Sequence, residues 1–207
     1  PLVKKDSASF YREITFKEKN KPQGRITDYY INGVKQNSFF ASYIGLNSRK
    51  LDSVVINGLN ISFDANGNKS SYGVYMNNIL QGEYMVYYKT GGVNMKYNYE
   101  DGILQGERIT YYETGEVYSR FNYEDGLVQG ESITYYKTGE VYSRFNYEDG
   151  LVQGESITYY KTGEVNSRFN YEDGLIQGES ITYYETGEIK SKVYYIDNLK
   201  KGEGIFY

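Results

Sequence analysis

The residues of this sequence that could carry chemistry are tyrosines, carboxylates and arginines, and each kind recurs at intervals of 24 residues. Cysteine and histidine are absent, which excludes thiol nucleophiles, histidine general bases and the usual zinc sites. Carboxylates are plentiful, but they recur identically in every repeat, whereas an active site needs one asymmetric constellation. The sequence therefore predicts a protein with no enzymatic activity, no cofactor and no metal.

Two tyrosine ladders are the first candidates for ligand binding. The chain contains 27 Tyr and no Trp, and Tyr-Tyr pairs recur once per repeat. The second members, the outer tyrosine ladder, are Tyr88, Tyr112, Tyr136, Tyr160 and Tyr184. These rings could stack on sugars or hold an extended peptide, or they could be packing residues whose hydroxyls stay hydrated. The first members, the inner tyrosine ladder, are predicted to be core residues: Tyr87, Tyr111, Tyr135, Tyr159 and Tyr183.

A cationic row runs beside these ladders. It consists of Arg120, Arg144 and Arg168, extended by Lys96 and Lys192. The row could bind an acidic partner, or it could pair with the glutamates that follow the repeat glycines: Glu83, Glu107, Glu131, Glu155 and Glu179. Because the array is acidic, internal pairing is favoured. The outer tyrosine ladder and the three arginines together form the candidate partner-binding face.

Glu-Asp-Gly triplets that end at Gly126, Gly150 and Gly174 raise the question of calcium. Calcium takes six to eight oxygen ligands, and one Glu-Asp pair in each turn, about 10 Å from the next, does not supply them. Aspartate before glycine is also typical of tight turns. We therefore predict turns here and no metal site.

Glycines define the repeat and predict its turns. The glycine that ends each Glu-Asp-Gly triplet is replaced by Asn78 and Asn198 in two other units. Glycine and asparagine both tolerate positive φ, so this position indicates a left-handed backbone. The glycines predicted to be structural recur every 24 residues, as Gly82, Gly106, Gly130, Gly154, Gly178 and Gly202, and again in Thr-Gly pairs, as Gly115, Gly139 and Gly163. Between them, β-branched and aromatic residues alternate with period two. The predicted fold class is all-β, an elongated array of tandem β-hairpins forming a twisted, curved antiparallel sheet.

Alternation also predicts two different faces. One face is predicted to be apolar, with Ile133, Tyr135, Val141, Phe145, Tyr147 and, beyond the turn, Leu151. The other is predicted to be more polar, with Thr134, Tyr136, Tyr142, Arg144 and Asn146. An apolar face of this size cannot remain fully exposed. It would be covered by the sheet itself, by a second copy or by a partner chain.

The chain divides at residue 57 by its repeat regularity. Residues 1–57 are predicted to be an N-terminal cap with degenerate repeats and an insertion within 36–52, and residues 58–207 the regular array. The first part carries ten Lys/Arg against five Asp/Glu, a net +5, and the second carries 13 against 22, a net −9. The acidic array argues against nucleic acid and anionic lipid as partners, although residues 1–57 could contact a membrane.

Localisation has two open interpretations. Repetitive Tyr-rich arrays without cysteine are typical of exported or cell-envelope proteins, and a chain that begins at Pro1 is compatible with removal of a signal peptide. A cytoplasmic location fits as well. No run approaches the roughly 20 apolar residues that a transmembrane helix needs.

The repeat resembles a known family. Tyr-Glu-Asp-Gly-Leu-Val-Gln-Gly-Glu at 147–155 and Tyr-Tyr-Lys-Thr-Gly-Glu at 159–164 are similar to the bacterial variant of the MORN repeat, and residues 195–204 are closest to the standard pattern. Where MORN repeats have a second glycine, this chain has Tyr84, Arg108, Ser132, Ser156 and Ser180. The resemblance implies tandem β-hairpins that serve in protein assembly, with lipid contact proposed for some members and an antitoxin label on others.

Three functions follow as hypotheses. The first is a scaffold that binds another protein or self-associates along the apolar face. The second is a bacterial surface carbohydrate-binding array, although such arrays usually also rely on Trp, which is absent. The third is lipid association, which the acidic array opposes.

Overall fold

A computed structural model describes residues 10–18, 23–44 and 54–206, and in these residues all regular secondary structure is β. The strands are β1 (Phe10–Phe16), β2 (Gly24–Tyr30), β3 (Lys35–Ile44), β4 (Val54–Phe63), β5 (Lys69–Met76), β6 (Ile79–Tyr87), β7 (Val93–Glu100), β8 (Ile103–Leu104), β9 (Gly106–Tyr111), β10 (Val117–Glu124), β11 (Leu127–Tyr135), β12 (Val141–Glu148), β13 (Leu151–Tyr159), β14 (Val165–Glu172), β15 (Leu175–Tyr183), β16 (Ile189–Ile196) and β17 (Leu199–Phe206). The all-β prediction is confirmed. The described residues include no helix that is long and apolar enough to span a membrane.

The chain forms two compact units, residues 1–103 and residues 104–207. In the first unit, β1 to β7 follow one another and each strand pairs antiparallel with the next. In the second unit, β9 to β17 do the same. Each 24-residue repeat therefore contributes two strands, as predicted. The division predicted at residue 57 concerns repeat regularity and stays a prediction.

Two kinds of turn join the strands. Asp149 and Gly150 connect β12 to β13 and both have positive φ, 48° and 81°, as a two-residue type I′ turn requires. The other turn closes where the Gly139 N–H donates to the Tyr136 carbonyl at 2.9 Å and the Tyr136 N–H donates to the Glu140 carbonyl at 2.8 Å. The predicted left-handed position is confirmed, since Asn78 and Asn198 also have positive φ.

Gly154 lies at a second place where the backbone demands glycine. Arg144 pairs with Ile157 and Asn146 with Gln153, so Phe145 of β12 faces three residues of β13. Gly154 begins this bulge with φ +70°, and a Cβ added there would meet no atom within 4 Å. The requirement is therefore conformational and not steric.

The register corrects the predicted faces. Directly paired residues project to the same side of a sheet. Ile133 pairs with Arg144, whereas Phe145 pairs with Ser132 and Thr134 with Ser143. The prediction that Phe145 shares a face with Ile133, and that Arg144 shares one with Thr134, is wrong.

The cause is a bulge at the start of β12. Tyr135 pairs with Val141 while Thr134 pairs with Ser143, so Tyr142 is an extra residue that reverses the alternation. We name the two surfaces from one repeat. The arginine face carries Glu131, Ile133, Tyr135, Val141, Arg144 and Asn146, and the serine face carries Ser132, Thr134, Ser143, Phe145 and Tyr147. Apolar side chains are therefore divided between both faces, and the predicted single apolar face does not exist.

The first unit has a small hydrophobic core. Ile26 and Ala41 are fully buried beside Phe39. Ile26 pairs with Phe39 as Ser156 pairs with Phe169, so isoleucine replaces the serine of the regular repeats.

A buried ion pair lies beside this core. Asp28 is only 5% exposed, and Arg12 donates to both of its oxygens, from Nε at 2.5 Å and Nη2 at 2.7 Å. The pairing compensates the carboxylate for its loss of water, since an unpaired buried charge would be strongly destabilising.

The Tyr30 hydroxyl supports the predicted insertion. It donates to the Phe63 carbonyl at 3.2 Å, 33 residues away, whereas the equivalent bonds of regular repeats span 23 residues. The ten extra residues agree with an insertion between these two positions. Of the predicted interval 36–52, residues 36–44 belong to β3, and residues 45–52 lie outside the described residues.

The second unit lacks such a core in its described residues. All buried hydrophobic residues of the described chain lie in the first unit, and the buried residues of the second are serines. Aromatic rings on the serine face join successive repeats, with Phe121 and Tyr147 centroids 6.2 Å apart and Phe145 and Tyr171 6.3 Å apart. Small serines leave room for these rings, so the face is packed without a second layer.

A glutamine–aspartate clasp holds five of the type I′ turns to the preceding repeat, and Asn57 takes the place of the glutamine at the Asn77-Asn78 turn. Gln129 Nε2 donates to Asp149 Oδ1 at 2.7 Å, and the Asp149 N–H donates to Gln129 Oε1 at 3.1 Å. The Gly150 N–H donates to the Val128 carbonyl at 2.9 Å. The same clasp joins Gln81 to Asp101, Gln105 to Asp125, Gln153 to Asp173 and Gln177 to Asp197. The aspartates are thereby committed to the turns, and in the described residues no acidic cluster could hold a metal ion.

We predict that Gln129→Ala lowers the free energy of unfolding by about 1 kcal/mol, because it removes two hydrogen bonds between repeats at a partly solvated site. Urea unfolding followed by circular dichroism measures the change. Asn122→Ala is the matched control, since Asn122 pairs directly with Gln129 on the neighbouring strand and makes no clasp. Equal losses in both variants would contradict the assignment.

Candidate functional site

The outer tyrosine ladder ties each repeat to the next through its hydroxyls. Tyr136 donates to the Tyr159 carbonyl at 2.7 Å. Tyr112 donates to the Tyr135 carbonyl at 2.8 Å, and Tyr160 to the Tyr183 carbonyl at 2.7 Å. The rings are half-buried. These three tyrosines therefore have a structural role, which the packing interpretation anticipated, and their hydroxyls donate to backbone carbonyls of the next repeat.

The two ends of the outer ladder are described by other contacts. The Tyr88 N–H donates to the Gly92 carbonyl at 2.8 Å, which closes a Thr-Gly turn. The Tyr184 N–H donates to the Glu188 carbonyl at 2.8 Å, and the Lys190 ammonium lies 5.7 Å from the Tyr184 ring centre. The role of both residues in partner binding stays a prediction.

Burial raises the pKa of two hydroxyls of the outer tyrosine ladder. Burial raises the pKa of Tyr136 above its ordinary value of 10.0, and the neighbouring Tyr142 adds to the shift. Burial likewise raises the pKa of Tyr112, with a smaller contribution from Tyr118. Both hydroxyls remain protonated at neutral pH and so remain donors.

The cationic row is paired internally, which confirms the favoured interpretation. Arg120 Nη1 lies 2.5 Å from Glu107 Oε1, Arg144 Nη1 lies 2.7 Å from Glu131 Oε1, and Arg168 Nη1 lies 2.9 Å from both oxygens of Glu155. Lysine continues the pattern, in Lys96 with Glu83 and Lys192 with Glu179. Such half-exposed pairs stabilise by only about 0–1 kcal/mol each, so they fix the arrangement of side chains more than they hold the fold.

Arg144 lies on the same face of the sheet as Tyr135 of the inner tyrosine ladder. The hydrogen bond to Glu131 raises the pKa of Arg144, and the nearby Tyr159 and Tyr135 hydroxyls add to the shift. Whether the surface of outer tyrosines and arginines binds a partner stays a prediction. The inner ladder was predicted to be core, and its tyrosines are half-buried.

A cavity opens on the arginine face where the Thr-Gly turns of two repeats meet. Its volume is about 220 Å³, and it is lined by Glu164, Val165, Arg168, Tyr183 and Gly187. The Tyr183 carbonyl accepts the Tyr160 hydroxyl, which fixes the strand that carries the aromatic wall. A rigid aromatic wall, an aliphatic base and charged groups at the rim are features of a binding site.

Sequence reasoning missed the clasp and this cavity. The signal for the clasp was present, because glutamine recurs 20 residues before each turn aspartate. Prediction of the cavity requires the register of β14 on β15. Sequence alternation does not give this register, because a one-residue bulge reverses the alternation.

We predict that Tyr136→Phe and Tyr160→Phe each lower the free energy of unfolding by about 1 kcal/mol, since each leaves a half-buried carbonyl without its donor. Tyr142→Phe is the control, because its ring contacts Tyr136 but its hydroxyl is exposed. Urea unfolding at pH 8 measures the three values, and a loss in the control as large as that in the two ladder variants would contradict the account.

The same bonds predict a pH dependence. Because the folded state raises the pKa of Tyr136 and Tyr112, their contribution to stability is complete below pH 10 and is lost as the pH rises through the folded-state values. Urea unfolding between pH 8 and 11.5 should show this loss, and a double Tyr112→Phe, Tyr136→Phe variant should show a shallower one. An unchanged slope in the double variant would contradict the assignment.

Comparison with protein families matches the second unit to one of them. The family model of the MORN repeat variant matches residues 104–125, 128–149, 152–173 and 176–197. A search of curated proteins gives no match. The four matched segments follow one another at the interval of the hairpin repeat. Each contains one Thr-Gly turn and ends at the aspartate of an Asp-Gly or Asp-Asn turn. Residues 104–197 therefore form a tandem array of four MORN repeat variants.

Proposed function

We propose that the repeat array is a scaffold that binds another protein through the exposed side chains of its sheet. One observation carries this proposal. The described residues of the second unit bury serines and no hydrophobic side chain, so part of their aromatic and aliphatic surface stays accessible to solvent. Exposed apolar surface that recurs in every repeat favours interaction with a partner.

The exposed apolar side chains occur at equivalent places in successive repeats. Leu127 is 47% exposed, Leu151 48% and Leu175 38%. Each follows a type I′ turn, and Leu127 and Leu151 lie against the turn glycines of the next repeat, Gly150 and Gly174. A surface with the same groups at regular intervals suits an elongated partner better than a compact small molecule.

Charge favours a different protein over a second copy. Residues 104–207 carry ten Lys/Arg and 18 Asp/Glu, a net −8. Two such arrays would repel each other face to face, and the same charge opposes nucleic acid. A basic or neutral polypeptide is the partner that the electrostatics support.

We predict that selection from a random peptide-display library on the full chain enriches specific peptides, which then bind the purified chain in solution. Glycan microarrays test the carbohydrate alternative in parallel, and light scattering tests self-association. Enriched peptides together with a silent glycan array would support a protein scaffold. No enrichment above that on an unrelated acidic β-protein, or glycan binding without peptide binding, would overturn it.

A further inference from the structure

The cavity beside Arg168 has the same residues in two earlier repeats. The cavity described above is lined by Glu164, Val165, Arg168, Tyr183 and Gly187. The positions 24 and 48 residues earlier hold Glu140, Val141, Arg144, Tyr159 and Gly163, and Glu116, Val117, Arg120, Tyr135 and Gly139. All three sets lie in the second unit. The arginine face thus carries three copies of one composition.

The spacing of these copies restricts the partner. Two strands about 4.8 Å apart advance the sheet by about 9.6 Å per repeat. A polyproline II helix repeats every three residues, or about 9.3 Å, with residues i and i+3 on the same side. In a β-strand residues i and i+3 point to opposite sides, and seven residues of an α-helix span about 10.5 Å. The polyproline II conformation therefore fits the row with the smallest mismatch.

Charge restricts the side chain that enters each cavity. The Arg168 guanidinium is held by both oxygens of Glu155 at 2.9 Å, so its charge is compensated. Glu164 adds a second carboxylate at the rim. At this copy these three groups leave one excess negative charge, beside an aromatic ring and an aliphatic side chain. At the two earlier copies the rim carboxylates Glu140 and Glu116 also interact with Lys161 and Lys137, so the excess is greatest at the Arg168 copy.

A lysine or arginine side chain satisfies this environment. Its apolar stem would lie on Val165 and its cation would face the Tyr183 ring and Glu164, which combines a cation–π contact with a charge-assisted hydrogen bond. The cavity, at about 220 Å³, accommodates one such side chain. Acidic side chains are disfavoured by the same excess carboxylate.

We propose that the arginine face of the second unit binds an extended basic peptide in polyproline II conformation, with a Lys or Arg at every third residue entering successive cavities. This inference rests on the protein-binding function proposed above and specifies the class of partner. It assigns the row to a cationic partner, the opposite of the acidic partner that the arginines first suggest.

The test uses the full chain and three synthetic peptides of matched charge magnitude. The first peptide is three Lys-Pro-Pro triplets, the second is three Lys-Pro-Pro-Pro quartets, and the third is three Glu-Pro-Pro triplets. Fluorescence anisotropy at 150 mM salt compares their affinities. The triplet lysine peptide should bind at least ten-fold more tightly than the quartet peptide, and the glutamate peptide should not bind.

Two triple variants separate the cavities from diffuse attraction. Glu116→Gln with Glu140→Gln and Glu164→Gln removes the three rim carboxylates. Glu124→Gln with Glu148→Gln and Glu172→Gln removes the same charge at the type I′ turns. The first should weaken the triplet peptide by at least ten-fold, and the second by less than three-fold. Circular dichroism confirms that both remain folded.

Equal weakening by the two triple variants, or equal affinity for triplet and quartet peptides, would overturn the inference. So would the absence of binding by the triplet peptide. None of these results contradicts the proposed scaffold function if the library selection still enriches other peptides. Failure of that selection together with absence of triplet binding would overturn both.

Discussion

The second unit depends on bonds made between consecutive repeats, because its described residues bury no hydrophobic side chain. A single sheet layer has no opposite layer to pack against, so stability must come from contacts along the sheet. Three such contacts recur: the outer tyrosine hydroxyl on the next repeat's carbonyl, the glutamine–aspartate clasp, and the phenylalanine–tyrosine ring pair. The hydroxyl bond lies at the Thr-Gly turns, the clasp lies at the type I′ turns, and the ring pair lies on the serine face. A fold of this kind approximates a one-dimensional chain of nearest-neighbour couplings.

Much of this architecture follows from the sequence, and the part that does not has a definite cause. The glycine period, the left-handed position at Asn78 and Asn198 and the hairpin connections are local backbone preferences, so they can be inferred from residue types. Which face a side chain takes depends on register, and the single extra residue Tyr142 reverses it. For that reason the faces predicted for Phe145 and Arg144 are both wrong. The same error affects the candidate site, because Arg144 lies on the face that carries Tyr135 of the inner ladder.

The corrected faces separate stability from recognition. Three outer tyrosines, Tyr112, Tyr136 and Tyr160, and the turn aspartates form bonds between repeats. The serine face carries ring contacts. The arginine face is left with half-exposed inner tyrosines, compensated arginines and excess carboxylates. The residues that line the cavity recur at intervals of 24 residues in two earlier repeats, so repetition sets the spacing of equivalent side chains along this face.

The most direct test of this account is removal of one whole repeat. Deletion of Phe145–Arg168 joins two nearly identical segments, since Phe121–Arg144 differs from the deleted stretch only by Tyr142 in place of Asn166. Nearest-neighbour coupling predicts that the shortened chain keeps the far-ultraviolet circular dichroism of the parent per residue. It also predicts that the urea-unfolding free energy and the m-value of the second unit both fall by the share of one repeat. Collapse of the β signal, or an unchanged free energy of unfolding, would contradict it.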